Sequence, residues 1–123
     1  LNETVAAYCR ERSLPYFPGA LTPTEIEKAW SCGATMVKVF PANQMGPGYF
    51  GTVRGPFNAI RLMAVGGVGP DNVHSYLGAG ASAVALGGSV FSPERMKNKE
   101  FDIIQKEISD FLFAVKAFYS RMD

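Results

Sequence analysis

Lys38 interrupts an otherwise apolar run, Met36-Val37-Lys38-Val39-Phe40, that stops at Pro41. Charged side chains are almost never fully buried without a partner or a task. On a strand, alternate side chains share a face, so Met36, Lys38 and Phe40 point one way and Thr35, Val37 and Val39 the other. An amine held among apolar neighbours gives up its proton more readily, because desolvation disfavours the charged form. A neutral amine of this kind attacks a ketone carbon and forms a Schiff base. Read alone, a lysine in such a run is more often a strand-end residue or one half of an ion pair. A second pattern adds to it. Ala64-Val65-Gly66-Gly67-Val68 and Ala85-Leu86-Gly87-Gly88-Ser89 carry Gly-Gly pairs 21 residues apart. Glycine lets backbone approach a ligand closely and adopt positive φ. Free amide groups at such a turn make an anion site. One Gly-Gly pair is an ordinary tight turn. Two at equivalent places of successive units point to a bound phosphate.

These groups need elements to place them. Leu14–Phe17, Thr35–Phe40, Ile60–Val65 and Ala83–Leu86 read as short strands, with starts 21 to 25 residues apart. Each precedes a Gly/Pro-containing turn and then a helical pattern. Thr22-Pro23-Thr24-Glu25 is a helix start, with Thr22 as N-cap, proline at the first helical position and Glu25 closing a capping box. Gly69-Pro70-Asp71 opens another helix, with Val73, Tyr76 and Leu77 on one face. Pro47–Arg54 reads as a short helix after the lysine strand. A long final helix over Phe101–Tyr119 repeats Phe101, Ile104, Ile108, Phe111, Leu112, Val115 and Phe118 at helical spacing. An opening helix covers roughly Glu3–Glu11. Strands alternating with helices imply parallel pairing. Units this short and regular favour a (β/α) barrel over a doubly wound sheet, and four such units are half of the usual eight. His74, Arg54 and Arg61 are expected to face solvent.

The 123 residues suffice for one domain, residues 1–123, with a single core. Hydrophobic residues make up 47% and the formal net charge is +1, an ordinary globular balance. No basic patch with interleaved aromatics suggests nucleic acid. No apolar stretch is long enough to span a bilayer, and no signal-peptide pattern opens the chain. Cys9 and Cys32 fall on expected helices without metal-ligand spacing and read as reduced thiols of a cytoplasmic protein. The first residue is Leu1 rather than methionine, so an incomplete chain is expected.

Four blocks, taken together, resemble the 2-keto-3-deoxy-6-phosphogluconate and 4-hydroxy-2-oxoglutarate aldolase family. They are Pro18-Gly19-Ala20-Leu21-Thr22-Pro23-Thr24-Glu25-Ile26, Gly33-Ala34-Thr35-Met36-Val37-Lys38-Val39-Phe40-Pro41-Ala42, Val65-Gly66-Gly67-Val68 and Gly87-Gly88-Ser89. The resemblance implies an α/β fold of the (β/α)8 TIM-barrel type, here its last four β-α units plus an N-terminal helix. It implies a metal-free class I aldolase, commonly trimeric, with no cofactor. Lys38 would be its Schiff-base lysine on the sixth strand. Phe40 would line the pyruvate pocket, and Pro18 would sit at the mouth of the fifth strand. Gly66, Gly67, Gly88 and Ser89 would hold the phosphate of the substrate.

Two departures accompany the resemblance. Val65 stands where many members carry a threonine whose hydroxyl touches the pyruvate moiety, and valine donates no hydrogen bond. The Ala-Val-Gly-Gly-Val form resembles the subgroup acting on the 6-phosphogalactonate epimer. The second departure is the lack of strands one to four. With them go the glutamate that serves the family as general acid/base and the arginine that grips the substrate carboxylate. Glu25, Asp71 and Glu94 are expected in helix first turns as caps. The expected function is cleavage of a 2-keto-3-deoxy-6-phospho sugar acid to pyruvate and glyceraldehyde 3-phosphate. Its rival is a non-catalytic, phosphate-binding half-barrel or assembly partner that pairs through its open sheet edges.

Overall fold

The computed structural model describes residues 1–121. Helix α1 (Glu3–Glu11) leads into β1 (Gly19–Ala20), α2 (Pro23–Ser31), β2 (Val37–Val39) and two short helices, α3 (Ala42–Met45) and α4 (Pro47–Arg54). Then follow β3 (Leu62–Val65), α5 (Val73–Gly78), β4 (Ala83–Ala85), α6 (Pro93–Lys97) and the long α7 (Phe101–Tyr119). The four strands form one parallel sheet in the order β1-β2-β3-β4. The expected α/β order of four β-α units is what the chain adopts, and β1 and β4 are the sheet edges.

Helix α2 starts as its sequence dictates. The Thr22 hydroxyl accepts from the Glu25 N–H while the Glu25 carboxylate accepts from the Thr22 N–H, closing the capping box. Hydrogen bonds from Thr22 and from the Leu21 N–H hold the Glu25 carboxyl below the usual carboxylate range. The strand expected at Leu14–Phe17 is displaced to Gly19–Ala20. Proline has no N–H to give a ladder, and Pro15 lies inside that segment while Pro18 follows it. The Tyr16 N–H goes instead to the Thr35 hydroxyl at 3.0 Å. The segment still runs beside β2: Thr35 donates to the Tyr16 carbonyl at 2.8 Å and Lys38 to the Pro18 carbonyl at 2.9 Å.

Helix α5 begins at Val73, so Asp71 lies before it and caps nothing. Asn72 turns back, accepting from the Gly69 N–H and donating to the Gly67 carbonyl, each at 2.9 Å. His74 is half-buried, not solvated: its Nε2 lies 2.7 Å from the Ala114 carbonyl of α7. Arg54 is also engaged, donating to the Gly80 carbonyl at 3.1 Å.

One face of the sheet carries the core. Val37, Val39, Leu62 and Ala64 are fully buried, together with Ile26, Ala29, Phe50 and Val73 from the helices. The α7 stripe is narrower than its periodicity suggests. Ile104 and Phe111 are buried and Val115 and Phe118 are packed at the core margin, whereas Phe101 and Leu112 are exposed. The long helix meets α5 and α6, which cover only one side of it. Phe113 is 74% exposed.

Phe50 is the largest fully buried side chain and meets the Tyr76 ring edge-on at 5.5 Å. Replacing Phe50 with alanine removes a whole ring from a close-packed site, so a stability loss of about 3–5 kcal/mol is expected in urea denaturation. A loss below ~1 kcal/mol would mean that the core collapses around the cavity.

Candidate active site

The lysine lies where strand alternation puts it, on the sheet face opposite the buried core residues Val37 and Val39. Parallel register aligns Gly19, Lys38, Met63 and Ala83 across the four strands. Lys38, Met63 and Val65 are half-buried, while their neighbours Val37, Val39, Leu62 and Ala64 are sealed on the opposite face. The expectation of an amine stripped of water is therefore not met within this chain. The same alternation that exempts Lys38 from the core exposes it to the open face. Phe40, expected beside it, is 53% exposed, and its ring centroid lies 5.6 Å from Lys38 Nζ. No carboxylate forms an ion pair with Lys38 among the described residues.

Gly19 makes room for the amine. A Cβ placed on it would stand 3.4 Å from Lys38 Cε and 4.0 Å from Nζ, so the lysine stem reaches across β1 at the residue without a side chain. Glycine inside a strand marks such close approach. Pro18, the residue singled out from sequence, is buried at the head of β1, and its carbonyl is what meets the lysine strand. Past β1, the Tyr49 hydroxyl of α4 donates to the Leu21 carbonyl and fixes the β1–α2 turn. Burial, with nearby Glu25 adding to it, pushes the Tyr49 phenol above its ordinary range.

The diglycine turn after β3 is built tight. Gly66 and Gly67 have φ of +95° and +71°. A Cβ on Gly66 would lie 3.0 Å from Phe40 Cε2, and one on Gly67 would lie 2.5 Å from Asn43 Cβ. The Asn43 N–H donates to the Gly66 carbonyl at 3.1 Å, so the end of the lysine strand and the β3 turn are locked together. The Phe40–Pro41 peptide is cis. After β4, neither Gly87 nor Gly88 has an atom within 4 Å of a placed Cβ, so that turn is open.

Phe40, Val65, Gly66, Gly67, Gly88 and Ser89 meet around one cavity of about 120 Å³. That is below the roughly 300 Å³ at which pockets for whole drug-sized ligands begin. It suits a small anion. Among the described residues, the backbone N–H groups of Gly66, Gly67, Gly88 and Ser89 donate to no protein acceptor. Converging N–H groups left unpaired in glycine turns are the usual protein answer to phosphate. A larger cavity of about 300 Å³ lies behind the turns against Val68, Val90 and Phe111, away from the lysine strand.

The structure thus brings Lys38, Phe40, Val65, Gly66, Gly67, Gly88 and Ser89 to one end of the sheet and turns Pro18 away. Gly19 and Asn43 join them. A glycine next to proline opening a strand was the available signal for Gly19. No signal marked Asn43 as the residue under Gly67, because its partner is 24 positions away.

Comparison with known proteins bears on the family and the fold. The family model for KDPG and KHG aldolase matches residues 1–107. A 2-dehydro-3-deoxy-phosphogluconate aldolase of Haemophilus influenzae is 30% identical over 94% of the chain and 55% of its own length. A 2-dehydro-3-deoxy-6-phosphogalactonate aldolase of Escherichia coli is 35% identical over 60% of the chain and 37% of its own. The chain spans about half the length of the curated relatives it matches. Among solved structures, a native KDPGal structure superposes with a TM-score of 0.89 at 24% identity, covering 98% of the chain and 57% of the other. A 4-hydroxy-2-oxoglutarate aldolase superposes with a TM-score of 0.71 at 29% identity, covering 96% and 55%.

Proposed function

The chain belongs to the KDPG and KHG aldolase family, and from that premise we propose that it carries the nucleophile and the phosphate cradle of a class I aldolase. The substrate class is a 2-keto-3-deoxy-6-phospho sugar acid. The observation that supports this most is the convergence of Lys38 and two diglycine turns with unpaired N–H groups at one end of one sheet. The lysine amine, when neutral, attacks the C2 ketone and expels water to leave an iminium. The C3–C4 bond then breaks, its electrons moving into the iminium to give an enamine, while the C4 hydroxyl loses its proton and becomes the aldehyde of glyceraldehyde 3-phosphate. Protonation of the enamine at C3 and hydrolysis release pyruvate and restore the amine.

The geometry divides the labour. The cradle takes the terminal phosphate, which positions the scissile bond over β2 at no chemical cost. Phe40 packs between cradle and amine and offers an apolar wall to the three-carbon pyruvate end. Val65 gives that end a methyl surface in place of a hydroxyl. Protons pass through water or through a group outside the described residues, since among the described residues no carboxylate pairs with Lys38.

Pyruvate release, followed with a coupled dehydrogenase, tests the reading. Cleavage of the gluconate or galactonate 6-phosphate is expected, with the dephosphorylated sugar acid at least about a hundredfold poorer in kcat/KM. Phosphate binding without any cleavage would favour instead the non-catalytic half-barrel.

A further inference from the structure

The turn after β4 lacks the steric lock of the turn after β3, yet it must present Gly88 and Ser89 to the same cavity. Something else must hold it. Arg95, in the middle of α6, directs its guanidinium back under that turn. Its Nη1 donates to the Ser89 carbonyl at 3.2 Å and to the Val90 carbonyl at 3.3 Å. The same guanidinium forms a two-pronged pair with Glu107 of α7, Nη1 to Oε2 and Nη2 to Oε1, both at 2.8 Å. The pair is about one-third exposed. Within the turn, the Gly87 carbonyl accepts from the Val90 and Phe91 N–H groups at 3.0 Å. Three carbonyls of the turn, those of Gly87, Ser89 and Val90, are therefore occupied, while the N–H groups of Gly88 and Ser89 are not.

We propose that Arg95 is the positioning residue of the phosphate cradle, fixing the carbonyl side of the Gly87–Val90 turn so that the Gly88 and Ser89 N–H groups stay available to the anion. The inference rests on the reading that the two turns hold a phosphate. Arg95 is not assigned to the anion itself: its Nη1 is shared among Glu107 and the two carbonyls, and its Nη2 also turns to Glu107. Glu107, held on the long α7, is the anchor. A flat fork with several donors spans one carboxylate and two carbonyls at once, and a lysine ammonium offers only a point charge. Each arm also opposes a peptide flip that would swing a carbonyl oxygen towards the phosphate.

The test is titration of the chain with inorganic phosphate, followed by amide NMR, for the parent, Arg95→Met and Arg95→Lys. Both variants are expected to bind phosphate roughly tenfold more weakly, the scale of losing one charge-assisted hydrogen bond. The loss should appear in phosphate affinity and not in the yield of borohydride-trapped pyruvate at Lys38, a step that involves no phosphate. A general loss of structure would lower both. Binding within about twofold of the parent by either folded variant, the scatter of a neutral surface change, would overturn the proposal. Should Arg95→Met not fold, Arg95→Lys decides by the same criterion. A parent that binds no phosphate while still trapping pyruvate would remove the cradle reading, and this inference with it, but leave the lysine assignment standing.

Discussion

Lys38→Met is expected to abolish pyruvate-dependent adduct formation and to lower sugar-acid cleavage by at least about a thousandfold, while the protein stays folded. The side chain is half-buried and makes no ion pair among the described residues, so methionine inherits the stem across Gly19 without leaving a stranded partner there. Stability should therefore change by no more than about 0.5 kcal/mol, as for a surface substitution. No other lysine can substitute. Lys28 and Lys106 pair with Glu3 and Asp110 on helices, and Lys97, Lys99 and Lys116 are exposed far along the chain from any strand. Phosphate affinity, which depends on the turns, should be unchanged. Steady-state kinetics beside phosphate titration checks both halves of the expectation. Residual cleavage near the parent rate would place the nucleophile elsewhere.

The second large effect is expected at Gly67. An alanine there takes up a φ of +71° and brings its Cβ to 2.5 Å from Asn43 Cβ. The left-handed backbone costs an L-residue about 1–2 kcal/mol. The collision adds about 1–3 kcal/mol, because the atom struck is the root of the Asn43 side chain rather than its mobile end. A stability loss of roughly 2–5 kcal/mol follows from adding the two, together with a weaker grip on phosphate as the turn moves off α3. Gly87→Ala is the matched control, since nothing lies within 4 Å of its placed Cβ. Chemical denaturation of both variants tests the contrast. Equal losses at Gly67 and Gly87 would mean that the turns are not asymmetric in the way described.

That asymmetry shows what sequence reading reaches and what it does not. The two Gly-Gly pairs look equivalent in the chain, and their spacing correctly brings both to one cavity. What differs is what each backbone presses against, and those neighbours come from other segments. Asn43 closes on Gly67, while nothing closes on Gly87 or Gly88. Arg95 carries no local sequence signal for the same reason: its partners are two carbonyls and a carboxylate 12 residues on. Local chemistry was far more legible. The Thr22–Glu25 capping box, the Pro47–Arg54 helix and the extent of the last helix all stand as their residues indicate. The short helices Ala42–Met45 and Pro93–Lys97 are too brief to show a period. Periodicity also told which face of β2 Lys38 occupies, but not whether a second layer covers that face.

The most direct measurement is borohydride reduction in the presence of pyruvate, followed by peptide mass mapping of the protein. A single adduct on the peptide containing Lys38, lost when pyruvate is omitted, is the result the lysine assignment predicts. An adduct spread over the exposed lysines, or none on Lys38 in a folded protein that binds phosphate, would contradict it.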